Sequence, residues 1–360
     1  MGKVNPTISW VRPEIQQISP YHVLDTTGIT VKLDAMENPY GWDEVMMAEW
    51  LEVLRTASLN RYPDSQAREL KQQLRETLEI PDNMEIIVGN GSDELIQMLL
   101  LTLNMRGRTL IIPEPTFSMY SLLAQVVGMQ IVDVALEESS FNLDVFAWLE
   151  AIENYQPALT FLAYPNNPTG NAFAVADIEV VIESSSGLVV IDEAYAPFAD
   201  NTFLPRLKDY PNLLVMRTLS KLGLAGLRLG YLVGPKVWLE QIEKTRLPYN
   251  INVLTQLSVK FALQHYNVLK SQAQQIKAER ASLLKNLQAI KRVKAWNSQT
   301  NFILFRVRDA LSVFNGLKER GILIKNLHGS HPLLDNCLRV TVGTSEENQV
   351  FLQELTSLVS

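Results

Sequence analysis

Four short segments carry residues whose types and spacing suit chemistry. Lys221 and Arg228 stand in Leu219–Gly230, a run otherwise made of Leu, Ala and Gly apart from Ser220. A lysine in such surroundings loses hydration, its pKa falls, and its neutral amine becomes a usable nucleophile. The same side chain can also snorkel to solvent along its own apolar stem. Val189–Tyr195 ends an apolar run on Asp192 and Glu193, two residues before Tyr195. An acidic group at the end of a buried strand is costly unless a cation or hydrogen bonds compensate it. One of the two acids can begin a helix while the other meets a positive ligand atom.

Gly89-Asn90-Gly91-Ser92-Asp93-Glu94 follows a β-branched run and precedes a helical one. Glycines let a backbone approach a ligand, and a helix N-terminus offers unpaired N–H groups and partial positive charge, so an anion such as phosphate fits there. A dinucleotide fingerprint competes with this reading, but its third glycine position holds Glu94. A plain capping turn built on Ser92 or Asp93 competes as well. Tyr164-Pro165-Asn166-Asn167-Pro168-Thr169-Gly170 is a proline-braced turn able to aim Asn167, or simply a turn. A metal is not expected: the four histidines, His22, His265, His328 and His331, fall outside these segments, and Cys337 is the one cysteine.

These residues need strands that end together. Short apolar runs over 84–89, 109–112, 130–134, 158–163, 187–191, 213–217 and 231–233 alternate with helical stretches over 93–104, 118–128, 144–154 and 175–184. That texture predicts strands buried on both faces of a mostly parallel sheet, an α/β layered fold. Helical stretches over 235–246 and 253–290 follow, the second open to a break. Beyond them come strands at 302–307, 323–326 and 338–342, with helices over 310–320 and from 346, the pattern of a smaller α+β domain. The division expected is an N-terminal arm at 1–40 packed on the small domain or on a partner subunit, a large domain at 41–255 and a small domain at 256–360.

Composition narrows the classes. The chain has 360 residues, 47% of them hydrophobic and 20% charged, which excludes disorder or coiled coil as an overall description. Its net charge of −7, from 32 basic and 39 acidic residues, is wrong for a phosphate-neutralising nucleic-acid binder. No run of 18 apolar residues and no signal-like segment occurs, so a cytoplasmic protein without a membrane span is expected.

An anion cradle, an aimed amide, a buried carboxylate, a phenol and a desolvated lysine are the parts of a pyridoxal-phosphate site. At this point the chain resembles the fold-type I pyridoxal-phosphate aminotransferases, and among them the histidinol-phosphate aminotransferases. The resemblance runs through Leu33–Gly41, Asn60–Asp64, Gly89–Glu94, Pro115–Tyr120, Asn166–Gly170, Asp192–Tyr195, Ser220–Arg228 and Leu338–Thr344, in family order.

The resemblance implies a three-layer α/β/α large domain and transamination between L-histidinol phosphate and 2-oxoglutarate in histidine biosynthesis. It makes Lys221 the Schiff-base lysine and Asp192 the partner of the pyridine nitrogen. Tyr195 and Asn167 become hydrogen-bond partners of the ring oxygen, and Phe117 the stacking ring. Gly91, Ser92, Asp93, Ser220 and Arg228 hold the cofactor phosphate, and Tyr62 reaches the partner subunit's cofactor in a homodimer. Arg339 binds the substrate anion, with Lys325, Tyr21, Asn38 and Asn250 near the substrate. Two positions depart from the pattern: Lys325 replaces a common second arginine, and Met36 replaces an asparagine. The alternatives are an aromatic-amino-acid aminotransferase, a phosphothreonine-type decarboxylase, a nucleotide-dependent dehydrogenase and a non-catalytic relative.

Overall fold

The computed structural model describes residues 10–20 and 24–359. At its centre lie seven strands: β1 (Glu85–Asn90), β2 (Thr109–Glu114), β3 (Gln130–Ala135), β4 (Leu159–Ala163), β5 (Leu188–Asp192), β6 (Leu213–Thr218) and β7 (Leu229–Gly234). They form one sheet in the order β1-β7-β6-β5-β4-β2-β3. β7 is antiparallel to both neighbours and the other pairs are parallel. Every residue of β4 and β5 is buried.

Side-chain alternation divides β5 and β6 between two cores. Val189, Ile191, Leu213 and Val215 join one, while Leu188, Val190, Leu214 and Met216 join the other. A sheet covered on both faces needs apolar residues at both parities, which is why the strands read as unbroken apolar runs. The helix Ser92–Leu103 buries Leu95, Ile96, Leu99 and Leu103 in the second core. The carboxyl ends of β2, β4, β5 and β6 therefore open on a common edge, where open α/β sheets place ligands.

A four-stranded antiparallel sheet lies beyond, with Cys337–Thr341 between Lys325–Asn326 and Phe302–Arg306, and Lys294–Ala295 at the edge. The helices Ala310–Glu319 and Ser345–Val359 pack on each other beside it. Val31–Lys32 of the arm pairs in parallel with Ile322–Leu323. The strand expected over 323–326 is thus split: residues 322–323 pair with the arm, and 325–326 pair with Arg339–Leu338.

The helical stretch expected over 235–246 ends as α-helix at Ile242 and finishes in a 3-10 turn. That over 253–290 is two helices, Val253–Gln264 and Tyr266–Ala289, separated at His265. Asn252 starts the first by accepting the Thr255 N–H at 2.9 Å. The domain boundary expected at 255–256 falls inside this helix, whose buried Val259, Phe261, Ala262 and Leu263 hold it together as one unit. Among the helices that escape the sequence reading are Glu44–Leu54 and Arg68–Thr77; the latter is polar at every position except Leu70 and Leu74, the two it buries.

Candidate active site

The ends of β4, β5 and β6, the start of the helix Ser92–Leu103 and the arm residues Ala35–Glu37 line a cavity of about 400 Å³. Asp192, the last residue of β5, is 4% exposed. Its Oδ2 accepts the Tyr120 hydroxyl at 2.6 Å and its Oδ1 accepts the Ala194 N–H at 3.0 Å. No cation pairs with it among the described residues. Burial, only partly offset by those bonds, pushes its carboxyl up to about 6. Keeping it ionised at neutral pH costs on the order of 3 kcal/mol.

Lys221 sits in a 3-10 turn after β6. Its Nζ donates to the Ala35 carbonyl at 3.2 Å, and burial, aided by the Arg339 charge, lowers the amine to about 8. A lysine so placed supplies a useful fraction of neutral amine near physiological pH. Tyr195 is buried across the cavity with its ring edge-on to Phe302 at 5.2 Å, and burial raises its phenol.

At the far end of the cavity the backbone closes in. Gly91 holds φ +81°, and a Cβ there would meet Arg228 Nη2 at 2.5 Å; a Cβ on Gly230 would meet the Gly91 and Ser92 backbone at 2.7 Å. Two glycines therefore let β1, β7 and Arg228 converge on the helix N-terminus. Arg228 Nη2 lies 3.2 Å from Asp93 Oδ2, an exposed pair that a stronger anion can replace. Ser220 Oγ accepts the Thr218 hydroxyl at 2.9 Å, and the N–H of Ser220 donates to the same Thr218 oxygen at 3.2 Å.

A second chamber of about 460 Å³ adjoins the first and shares Met36, Phe117 and Asn167 with it. Arg339, 6% exposed, stands at the junction. It donates through Nη1 to Asn167 Oδ1 and through Nη2 to the Asp34 carbonyl at 3.0 Å, and its guanidinium lies 5.1 Å from the Phe302 ring centre. Lys325 lines the same chamber opposite Arg339 in register, with its amine lowered by burial and by that arginine. Met36 holds φ +53° at the shared wall. Asparagine adopts that conformation far more readily than methionine, a local reason for the residue the family pattern has there.

The fold thus gathers Ser92, Asp93, Phe117, Asn167, Asp192, Tyr195, Ser220, Lys221 and Arg228 around one cavity, with Gly91 just behind and Arg339 and Lys325 next door. It does not bring three others there. Asn38 donates to the Leu222 carbonyl at 3.2 Å and to Gln272 at 3.0 Å, and accepts the Tyr40 N–H at 2.9 Å, outside both chambers. Asn250 donates to Val88 and Glu94 and accepts Arg246, bracing the turn after β1 from behind. Tyr62 is 80% exposed and stacks on Tyr249 with 4.4 Å between ring centres. Tyr21 lies outside the described residues.

Sequence reasoning missed Tyr120, the hydroxyl partner of Asp192. Its one signal is spacing: three residues after Phe117 it falls on the same side of a helical turn, and the two rings meet edge-on at 5.5 Å.

Residues 29–355 match the model of the family described as aminotransferase class I and II. Histidinol-phosphate aminotransferase 2 of Nitrosococcus oceani is 54% identical to this chain over 348 residues, 96% of each. The histidinol-phosphate aminotransferase of Polaromonas naphthalenivorans is 46% identical over 96% of this chain and 95% of its own. The crystal structure of histidinol-phosphate aminotransferase from Sinorhizobium meliloti in complex with pyridoxal-5'-phosphate superposes with a TM-score of 0.86 at 22% identity, covering 98% of each chain, a likeness of fold.

Proposed function

This chain belongs to the class I and II aminotransferases, and from that premise we propose that it transfers the amino group of L-histidinol phosphate to 2-oxoglutarate, with pyridoxal phosphate as carrier. The products are imidazole acetol phosphate and L-glutamate, and the reaction is a step of histidine biosynthesis. The observation that carries the chemistry is the pairing, in one cavity, of an amine brought down to about 8 with a buried carboxylate that has no cation. The shared name of the curated relatives supports the substrate.

The residues fit the cofactor. A carboxylate left without a cation suits a protonated pyridine nitrogen, and the glycine-lined helix N-terminus with Ser92, Ser220 and Arg228 suits a phosphate. Bound there, pyridoxal phosphate supplies the carbonyl that takes the amino group and an electron sink for the α-carbon. Asp192 keeps the ring nitrogen protonated. Tyr195 and Asn167 hydrogen-bond the ring oxygen, and Phe117 covers the ring face. Lys221 Nζ would hold the cofactor at rest and, once displaced by the substrate amine, would be the free base that takes and returns the proton at the substrate α-carbon.

Arg339 grips the α-carboxylate of glutamate or the phosphate of histidinol phosphate as a planar fork, and Lys325 adds a point charge. Asn38 and Asn250 serve as bracing residues, since their amides are already engaged within the chain. Tyr62 acts in the site of a second copy, a reading supported by its exposure beside the exposed Leu59, Leu247 and Tyr249. The three-part division at 1–40, 41–255 and 256–360 belongs to this reading. A cytoplasmic setting belongs to it too; among the described residues no helix is long and apolar enough to cross a membrane.

The test is spectral. Glutamate and histidinol phosphate, added separately to cofactor-loaded protein, should each convert the lysine-bound cofactor to its aminated form, and Lys221→Ala should lose turnover by at least about 10⁴-fold while retaining cofactor non-covalently. Full turnover in that variant would overturn the role of Lys221. Conversion by glutamate and aromatic amino acids, but not by histidinol phosphate, would overturn the substrate.

A further inference from the structure

The second chamber has a cationic end and an acidic end that do not neutralise each other. Lys325 and Arg339 form the first, and the charges acting on Lys325 are Arg339 and Asp34. Glu114, the last residue of β2, lines the other, and the charge acting on it is Asp133 of the neighbouring strand β3. Among the described residues the Thr116 N–H is the one donor to its carboxylate, and it makes no salt bridge there. His331 lines the same chamber, but burial lowers its imidazole and its Nδ1 accepts the Leu333 N–H at 3.1 Å, so it offers Glu114 no positive charge at neutral pH. A half-buried carboxylate without a cationic partner is a costly thing to keep in a fold. It marks the place where a ligand brings a donor.

Resting on the proposed function, the chemistry of that donor is fixed by the substrate. Histidinol phosphate branches at its α-carbon into a phosphate arm and an imidazole arm. The phosphate is drawn to Arg339 and Lys325, which leaves the ring, with its N–H, for the remainder of the chamber. We propose that Glu114 is the ring-recognition residue, its carboxylate accepting the imidazole N–H of histidinol phosphate at the acidic end of the second chamber. The other amine, glutamate, brings a carboxylate into the same space. Burial and Asp133 hold the Glu114 carboxyl at about 7, so it takes up a proton readily and then donates to that carboxylate. One side chain thereby accommodates both substrates, as acceptor for one and donor for the other.

The test compares two amines on the cofactor-loaded enzyme: histidinol phosphate and alaninol phosphate, which has the phosphate arm and lacks the ring. The ratio of their kcat/KM values in the first half-reaction isolates the ring. Glu114→Ala should lower that ratio by about tenfold to a hundredfold, the range for a charge-assisted hydrogen bond, and Glu114→Gln by less, since its amide oxygen still accepts. Calorimetric titration of the aminated enzyme, which binds histidinol phosphate without turning it over, should show the same ordering in Kd. An unchanged ratio, or equal losses for both amines, would overturn the role of Glu114 and leave the proposed function standing. A wild-type enzyme that accepts glutamate but neither phosphorylated amine would instead overturn the proposed function, before any variant is made.

Discussion

Asp192 and Glu193 are adjacent acids at the end of one buried strand, 4% and 1% exposed, and the fold treats them in opposite ways. The period of a strand sends them to opposite faces of the sheet. Glu193 emerges with Val189 and Ile191, on the face where Arg217 emerges from β6 in series with Leu213 and Val215. There Glu193 Oε2 receives Arg217 through Nε at 2.9 Å and Nη2 at 2.7 Å, the Thr202 hydroxyl donates to Oε2 at 2.8 Å, and the Phe203 N–H donates to Oε1. Asp192 emerges with Leu188 and Val190 on the face of the cavity and receives one phenol and one N–H. The first carboxylate is compensated within the chain. The second is left short of one positive charge, which is what a buried carboxylate needs if it is to bind a cationic ring atom and not merely hold strands together.

The sharpest way to break this comparison is to neutralise each acid in turn. Asp192→Asn should lower kcat by about 10³-fold or more, because a ring nitrogen without a carboxylate loses its proton and with it the electron sink. The same change should leave the cofactor-free protein equally stable or more so, since it removes a charge that the empty cavity does not compensate. Melting temperature and single-turnover rate, measured on one preparation, check both halves. A loss of stability equal to that of a core cavity would sink the contrast. Glu193→Gln should do the reverse: destabilise by about 3–5 kcal/mol in denaturant titration, because Arg217 is left buried and unpaired, with kcat/KM within tenfold of wild type.

How far sequence could see this contrast depends on the range of each interaction. The sheet was legible because strands buried on both faces must be apolar at both parities, and β4, β5 and β6 are. Lys221, Asp192, Asn167 and Ser92 were legible because polar groups in apolar or turn contexts have few inexpensive explanations. The strand period also separates Asp192 from Glu193, but nothing local says which face carries the cavity. That is decided by Tyr120 and Arg217, 72 and 24 residues away from their partners. Asn38 and Asn250 lie outside both chambers, and sequence could not show it for the same reason: an amide looks alike whether its partner is a substrate or the Leu222 and Val88 carbonyls. Residues 323–326 misled because one short segment serves two sheets in succession, its apolar start in one and Lys325–Asn326 in the other.

The smallest effect is also the most specific to Asp192. Tyr120→Phe removes the hydroxyl that donates to Oδ2 and leaves the Ala194 N–H on Oδ1. Losing one hydrogen bond to a charged group costs about tenfold in kcat if the cofactor's ring nitrogen keeps Asp192 ionised. In the cofactor-free protein the consequence appears in pH dependence. The carboxyl titrates near 3.8 unfolded and about 6 folded, so the native state binds its proton more tightly. The stability this proton confers is complete below 3.8, declines as pH rises through about 6, and is constant above. Removing the Tyr120 donor raises the folded value further, so the decline must extend to higher pH. Subtracting the pH–stability curve of Asp192→Asn from that of each protein isolates this one group. A curve for Tyr120→Phe whose decline ends no higher than that of wild type would mean that the phenol is not what steadies the ionised Asp192, and that Ala194 and the backbone dipoles of the turn carry the charge alone.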